Sequence, residues 1–133
     1  MLNAHVCEAK QARALRCYMA MHINGGEETR AHLREVTRLV KIAKQTLEKD
    51  PRFEVLETAS TTCMIDFRPA GVSNEKTNEF LNLLTGSRDI FIVSTFVNKV
   101  EWIRFSVGSY ATEEEHIHNA LNLISSTADK FLK

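Results

Sequence analysis

The stretch from Val40 to Val55, VKIAKQTLEKDPRFEV, contains the change of hydrophobic period that decides the fold. Before the proline, apolar residues recur every three or four positions, which predicts an amphipathic helix. Asp50-Pro51 ends this helix, because the residue before a proline is disfavoured in the helical region. After it, Phe53 and Val55 share one face, which is typical of a half-buried strand. The helix has its apolar positions at Leu33, Val36, Val40, Ala43 and Leu47.

A second helix is predicted on the N-terminal side, between Ala9 and Met21, where helix-forming residues dominate. Asn24-Gly25-Gly26 follows it, and two glycines allow the backbone angles that end a helix and turn the chain. Two helices separated by a turn are therefore expected before the first strand. The apolar face of the first helix carries Ala12, Leu15 and Met19.

On the C-terminal side of the decisive stretch, an alternating pattern returns and is followed by another helix. Cys63, Ile65 and Phe67 share one face of a second predicted strand. Ser73 is a good N-cap, because its hydroxyl can accept a hydrogen bond from a free backbone amide of the helix. Gly86 is placed to stop that helix.

The last part of the chain predicts a hairpin and a closing helix. Ile90 to Thr95 and Val100 to Val107 are rich in β-branched and aromatic residues, and Asn98-Lys99 between them predicts a tight turn. Thr112 is placed to cap the amide of Glu115, whose carboxylate can reach back. The final helix then has its apolar stripe at Ile117, Ala120, Leu121, Ile124, Ala128, Phe131 and Leu132.

The predicted order is helix, helix, strand, strand, helix, strand, strand, helix. Hairpins of antiparallel strands joined by helices favour an α+β fold over a doubly wound parallel sheet. We expect a small antiparallel sheet with helices packed on one face, preceded by two helices. In this interpretation residues 1–50 form an N-terminal helical segment and residues 51–133 a small α+β domain.

Composition and charge limit the classes of protein to consider. The chain has 133 residues, 44% hydrophobic and 26% charged, which fits an ordinary globular domain and excludes a disordered or fibrous class. Lys plus Arg and Asp plus Glu both number 17, so the net charge is zero. No overall field favours a nucleic acid or an anionic membrane as partner.

Cysteine usage and the first twenty residues bear on the compartment. Cys7, Cys17 and Cys63 are unevenly spaced and form no Cys-x-x-Cys pair, so we expect reduced thiols that act as small apolar side chains, partly or wholly inside. The first twenty residues contain no apolar run long enough for a signal peptide or a membrane span. A cytoplasmic location is the expectation.

We assign no residue of the sequence to catalysis, to cofactor binding or to metal binding. His116 and His118 are two positions apart on a predicted helix and point to different faces, so they cannot grip one ion as an i, i+4 pair would. Gly25-Gly26 leads into Glu27 and Glu28, whose carboxylates would repel a phosphate at that helix terminus. No local signature of a nucleophilic triad, such as Gly-x-Ser-x-Gly, occurs.

Arg104 is the one residue singled out as a candidate for a supporting role. It lies in a predicted strand where Ile103 and Phe105 share one face, which places Trp102 and Arg104 together on the other. An unpaired charge is costly to desolvate, so a buried second face requires a carboxylate partner. Two interpretations stay open: an ion pair or solvated edge within the domain, and a contact to another domain or subunit.

A series of short motifs covers most of the chain. In type and in order they resemble those of the group II pyridoxal-phosphate decarboxylases, which act on aromatic amino acids, histidine and tyrosine. No single motif is specific, but their number and order are. They are Arg13-Ala14-Leu15-Arg16, the turn at Gly25, Arg30 with His32, Asp50-Pro51-Arg52-Phe53-Glu54-Val55, Cys63 with Phe67-Arg68, Ser73-Asn74 with Asn78, Ile103-Arg104-Phe105 with Gly108, and Thr112-Glu113-Glu114-Glu115-His116-Ile117 with Ala120.

The resemblance implies the small C-terminal domain of a cytoplasmic homodimer that uses pyridoxal phosphate (PLP) to remove the carboxylate of an amino acid. Residues 1–50 would then link the large and small domains. In that family a lysine directly after a histidine forms the Schiff base with PLP. The resemblance gives this chain no such lysine and no catalytic residue, and it assigns Arg104 to domain packing or to support of the active-site entrance. The histidines here are followed by Val6, Ile23, Leu33, Ile117 and Asn119.

One departure from the family pattern lies just before Arg13. The family has a Gly-Arg-Arg-Phe stretch there, whose glycine approaches the substrate pocket of the neighbouring subunit, whereas this chain has Ala9-Lys10-Gln11-Ala12. The departure weakens the expectation of a supporting role at the substrate.

Three functional interpretations remain at this point. The first is a C-terminal fragment of a PLP-dependent amino-acid decarboxylase that is not catalytic alone. The second is a noncatalytic interaction or dimerisation module derived from such an enzyme. The third is a regulatory domain that holds a small molecule between sheet and helix, for which the sequence supplies no convergent set of polar groups.

Overall fold

A computed structural model describes residues 5–57, 63–87 and 89–131, with side chains from residue 13 onward. The predictions made for Cys7, Ala12 and Leu132 lie outside the described side chains. Two compact units divide the chain, Met1–Glu35 and Val36–Lys133. The helices are α1 (His5–Lys49), α2 (Asn74–Gly86) and α3 (Glu114–Phe131), and the strands are β1 (Phe53–Val55), β2 (Met64–Pro69), β3 (Val93–Val97) and β4 (Val100–Ser106).

Helix α1 is interrupted at the predicted glycine turn. Gly25 has φ 75° and ψ 166°, outside the helical region, so two helical segments meet there. A positive φ favours glycine, because a Cβ would crowd the backbone in that conformation. The hydroxyl of Thr29 donates a hydrogen bond of 2.8 Å to the Gly25 carbonyl. The segment after the turn ends at Lys49, directly before Asp50-Pro51, as predicted.

The four strands form one antiparallel sheet in the order β1-β2-β4-β3, which confirms the predicted α+β class. The hairpin turn was predicted correctly: Asn98 and Lys99 have φ of 52° and 66°, and Val97 pairs with Val100. The strand predicted at Ile90 to Thr95 is shifted, since β3 runs from Val93 to Val97. A two-residue turn is flanked directly by paired residues, so the strand pairing extends to the turn. This requirement outweighs the local preference of Ile90 for a strand.

The core of the second unit lies between one face of the sheet and the helices. Side chains alternate across each strand, so every second residue of the sheet points to this core. Full burial of a phenylalanine or leucine contributes about 2 kcal/mol. The buried residues are Phe53, Ile65, Phe67, Ile103 and Phe105 on the strands, and Val36, Leu39, Val40, Ala43, Leu47, Phe80, Leu81, Leu84, Ile117, Leu121, Ile124 and Ala128 on the helices.

The predicted apolar positions of the first unit are exposed instead of buried: Leu15 is 57%, Met19 51% and Leu33 51% exposed. Cys17 is exposed as well, whereas Cys63 in the second unit is partly buried and packs against the core. The buried positions of α1 begin at Val36, where the sheet and other helices provide a surface to pack against. A helical segment cannot bury an apolar stripe against itself, so Leu33 and Cys17 stay exposed.

The N-terminal cap of α2 is the one predicted from the sequence, whereas the N-terminal cap of α3 differs from the prediction. The hydroxyl of Ser73 accepts a hydrogen bond from the amide of Lys76, which is the predicted N-cap of α2. At α3, the predicted bond between Thr112 and Glu115 is replaced by one in which His116 Nδ1 accepts from the backbone amide of Glu113 at 3.0 Å. No helix in the described ranges is long and apolar enough to cross a bilayer.

Arg52 joins the start of the sheet to α3. Its guanidinium donates to both carboxylate oxygens of Asp50, at 2.9 Å from Nε and 2.6 Å from Nη2. Nη2 also donates to the Ser125 hydroxyl, and Nη1 donates to Asp129, each at 2.6 Å. Donation from Arg52 lowers the pKa of Asp50 below its usual value, against the opposing effect of burial. The motif around Pro51 thus fixes the chain where helix passes to sheet.

Replacing Asp50 with asparagine is expected to lower the free energy of unfolding by about 1 kcal/mol at neutral pH. The Asp50 side chain is only 22% exposed, so water screens its pair with Arg52 incompletely. A carboxylate with a lowered folded pKa stabilises the protein above its unfolded pKa of about 4 and loses that contribution as pH falls through the folded value. The difference between wild type and variant is therefore expected to shrink below about pH 4.

Urea denaturation at a series of pH values measures this difference. Asp129→Asn is the matched control, since Asp129 pairs with the same arginine but its side chain is 64% exposed. A loss in the control as large as that in Asp50→Asn, or a loss in Asp50→Asn that is constant with pH, contradicts the assignment.

Candidate functional site

The candidate site is the face of the sheet opposite the core, which we call the outer sheet face: Glu54, Asp66, Arg68, Trp102 and Arg104. Strand alternation places them there, because their neighbours in β2 and β4 point into the core. Arg104 was predicted to share this face with Trp102. The face brings together charged residues from three strands that are far apart in sequence.

Arg104 forms a two-point ion pair with Asp66, which lies directly opposite it on β2. Arg104 Nε donates to Asp66 Oδ1 and Nη2 donates to Oδ2, both at 2.9 Å. The two hydrogen bonds raise the pKa of Arg104 above its ordinary value. The Asp66 side chain is 3% exposed and that of Arg104 is 34% exposed. Asp66 is thus the carboxylate partner within the domain that the sequence analysis left open.

Arg68 is the second arginine of the outer sheet face. Its guanidinium carbon lies 5.8 Å from the centre of the Trp102 ring, and its Nη2 donates to the Val72 carbonyl. Nε lies 3.9 Å from Glu54 Oε2, too far for a hydrogen bond, and is buried without an acceptor among the residues that the structure describes. Cation–π contact and the nearby carboxylate therefore hold a nearly buried charge whose hydrogen bonding is incomplete.

Three sequence motifs meet on this face through Glu54, Arg68 and Arg104. Sequence analysis noted each motif but did not bring these residues together, and it missed Asp66. The available signal was the alternation of β2, which puts Asp66 and Arg68 opposite the apolar Ile65 and Phe67. What the sequence lacked was the register, in which Asp66 pairs with Arg104 and Glu54 pairs with Arg68.

The asparagines of another motif join α2 to the hairpin instead of forming a site. Asn74 Oδ1 accepts from the Glu101 amide at 3.0 Å, and its Nδ2 donates to the Lys99 carbonyl at 3.0 Å. Asn78 Nδ2 donates to Glu101 Oε1 at 3.1 Å, and the Glu101 residue is buried. The Asn78 bond gives one oxygen of the buried Glu101 carboxylate a donor, and the Asn74 bonds hold the backbone of the hairpin, so both asparagines have a structural role.

Neither the histidines nor a cavity between α2 and α3 forms a site among the described residues. His118 Nε2 lies 3.5 Å from Glu114, His22 stacks on Tyr18, and no group of three metal-ligating residues occurs among the described residues. A cavity of about 660 Å³ lies between α2 and α3 and is bordered by Lys76 and Lys130, both of which are exposed. Its polar groups belong to surface side chains, which is unlike the few convergent groups of a ligand pocket.

The sequence of the chain is similar to part of several longer curated proteins. No family model matches the chain. It is 30% identical over 131 residues to tyrosine decarboxylase 2 of Arabidopsis thaliana and 26% identical over 129 residues to phenylacetaldehyde synthase of the same plant. These matches span 94% and 92% of the chain but only 24% and 26% of the relatives. The chain therefore spans about a quarter of the length of the curated relatives.

Solved structures with a similar fold come from the same group of proteins. The crystal structure of Oryza sativa TDC with PLP and tryptamine superposes with a TM-score of 0.77, at 25% identity, over 91% of this chain and 27% of that one. Sequence and fold thus agree on the same part of a longer protein. The likeness is to the C-terminal domain of the group II decarboxylases, as the motifs predicted.

The residues described here do not compose a PLP site. Such a site needs a lysine amine held inside the protein, where its pKa can fall and it can form a Schiff base. Five of the six lysines whose side chains are described are exposed, and the sixth, Lys44, pairs with Glu48 at 3.5 Å on the surface of α1. We therefore derive no step of cofactor chemistry from these residues.

Replacing Arg104 with alanine is expected to cost more stability than replacing Asp66 with alanine. The first change leaves a buried carboxylate without a partner, at a cost of about 2 kcal/mol after allowance for the solvent around Arg104. The second leaves an arginine that water can reach, at a cost of about 1 kcal/mol.

Urea denaturation of the two variants beside wild type gives both costs. Arg104→Lys is the control, because it keeps the charge and loses the two-point geometry, and its cost should lie between zero and that of Arg104→Ala. Equal costs for Arg104→Ala and Asp66→Ala would show that the difference in burial does not govern this pair.

Proposed function

Because the chain matches the C-terminal domain of the group II PLP-dependent decarboxylases in sequence and in fold, we propose that it serves as that domain in a longer carboxy-lyase. The observation that carries the proposal is the continuous match over more than nine tenths of the chain to only a quarter of each relative. A chance likeness of layered α+β folds would not extend through α1 and keep 30% identity.

The parent activity in this proposal is removal of the carboxylate of an aromatic amino acid. The two curated relatives are named for the aromatic compounds tyrosine and phenylacetaldehyde, and the matched crystal structure holds PLP and tryptamine. PLP supplies the electron sink for the bond cleavage, and it would be held by residues of the large domain. We further propose a cytoplasmic homodimer, as in the family resemblance.

The domain boundary and the role of Arg104 belong to the same proposal. Residues 1–50 would link the large and small domains, and residues 51–133 would form the small α+β domain. Arg104 would support domain packing or the active-site entrance through the outer sheet face. Its pair with Asp66 supports this role, because a guanidinium held at two points and still 34% exposed can contact a second surface.

The alternative is a noncatalytic interaction or dimerisation module derived from such an enzyme. The observation that favours it is the set of exposed large apolar side chains in the first unit, since such groups mark interaction sites. The two proposals differ in whether catalysis returns when the large domain is supplied.

A chimera tests the proposed function. In the chimera, the segment of Oryza sativa TDC that matches this chain is replaced by residues 1–133. We expect the chimera to be yellow from bound PLP and to release carbon dioxide from tryptophan, because the catalytic residues come from the large domain. Absorbance, carbon dioxide release and product analysis for amine or aldehyde are the measurements.

Two controls define the outcome. Alanine in place of the lysine that follows the histidine in the large domain should abolish the Schiff-base absorbance and the activity. The isolated 133-residue chain should show neither. A chimera that folds without binding PLP supports the module, and stoichiometric release of carbon dioxide by the isolated chain with PLP contradicts both proposals.

A further inference from the structure

Strand β3 lies at one end of the sheet, and within the described ranges it has a paired strand on one side only. Edge strands are normally protected from pairing with another chain by charged side chains, proline or a bulge. The strand Val93–Val97 has no charge and no proline, and it pairs with β4 residue for residue without a bulge. The opposite edge, β1, has only three residues and carries Glu54. β3 is therefore the open edge of the sheet, and we call the unpaired side of Val93–Val97 the β3 edge.

The hairpin turn decides which backbone groups face the β3 edge. Val97 and Val100 flank the two-residue turn and pair with each other. In such a turn the carbonyl before the turn accepts from the amide after it, so this pair is hydrogen-bonded. Every second residue of an antiparallel strand bonds the same neighbour. The amides and carbonyls of the residues in between, Ser94 and Phe96, therefore point to the β3 edge.

The backbone of the β3 edge is already ordered, and the space beside it is not filled by the helices. Phe96 lies on the helix-covered face, since it pairs with the buried Glu101, yet it is 65% exposed. The helices thus leave room beside the edge. Asn74 bonds the Lys99 carbonyl and the Glu101 amide, which holds the hairpin to α2. An ordered edge loses little entropy when a further strand pairs with it.

A second copy of β3 is complementary to this edge when it runs antiparallel about a two-fold axis at Thr95. Ser94 of one copy then lies opposite Phe96 of the other, so the residues with unpaired backbone groups meet as hydrogen-bonded pairs. Thr95 faces itself, which allows a bond between hydroxyls, and Val93 faces Val97. No charge meets a like charge within the strand. The edge is therefore complementary to itself in hydrogen bonding, in side-chain type and in charge.

We propose that two copies of this chain associate through the β3 edge and form one continuous antiparallel sheet in the order β1-β2-β4-β3-β3-β4-β2-β1. The contact is isologous, so it closes at a dimer. A strand of five residues is small beside the roughly 20 to 30 residues that each partner contributes to a standard interface, so the association is weak and depends on concentration. It is separate from the homodimer proposed for the longer enzyme, which follows from the family resemblance.

Sedimentation equilibrium of the 133-residue chain over a range of concentrations tests the contact. We expect the average mass to rise from 15.1 kDa toward twice that value as concentration increases. Thr95→Lys should weaken the association about tenfold or more, because it places like charges opposite each other at the centre of the paired strands. The matched control is Thr46→Lys, which makes the same change at an exposed position of α1 and should associate as wild type does.

A charge exchange identifies the two-fold alignment. Thr95→Glu alone should associate as weakly as Thr95→Lys, because equal charges meet again. An equimolar mixture of the two variants should recover the association, since opposite charges then face each other. Recovery in the mixture also shows that both variants are folded.

Amide hydrogen exchange of the wild-type chain reports on the backbone. Exchange at Ser94 and Phe96 should slow as concentration rises, because their amides are bonded only in the dimer. Exchange at Thr95 should depend less on concentration, since its amide already bonds to β4.

Three outcomes contradict the proposal. The first is the mass of one chain at all concentrations up to about 1 mM. The second is an association that Thr95→Lys weakens no more than Thr46→Lys, which assigns the contact to another surface. The third is a mass that grows beyond two chains, which shows a contact that does not close about a two-fold axis. None of these outcomes bears on the proposed function, which the chimera tests by itself.

Discussion

The structure depends on a sheet that is covered by helices on one face only. Strand alternation then sorts every residue of β2 and β4 into one of two environments. Ile65, Phe67 and Ile103 meet the helices and make the core, while Asp66 and Arg104 are left on the outer sheet face. The charges on that face neutralise each other across neighbouring strands, because a lone carboxylate as buried as Asp66 would be too costly.

Polar side chains hold the core elements at their junctions. Arg52 ties the first strand to α3 through Asp50, Ser125 and Asp129, and Asn74 ties α2 to the hairpin. Asp50, Arg52 and Asn74 lie in the motifs that carry the family resemblance. Their bonds give these motif residues a structural role, which accounts for them without a catalytic site. Such junctions are specific in geometry, since a guanidinium or an amide bonds only partners placed at fixed angles.

Two surfaces of the described residues differ in chemistry. The outer sheet face has paired charges and a buried nitrogen, Arg68 Nε, for which the described part of the chain provides no acceptor. The first unit exposes several large apolar side chains on α1. A domain that functions inside a larger enzyme is expected to keep such surfaces, because they are buried or completed only in the whole molecule. The decarboxylase chemistry in our proposal therefore belongs to the assembled polypeptide, in which this chain contributes position and support.

The sequence by itself determined the class of the fold, the C-terminal end of α1, both ends of α2, the glycine turn and the Asn98-Lys99 hairpin, because each rests on the local preferences of a few adjacent residues. It also placed Arg104 on the face opposite the core. Only the tertiary structure decided which carboxylate pairs with Arg104, where β3 begins, and that Leu33 and Cys17 stay exposed. Those outcomes depend on strand register and on which surfaces are available for packing, and both are set by residues far away in the chain.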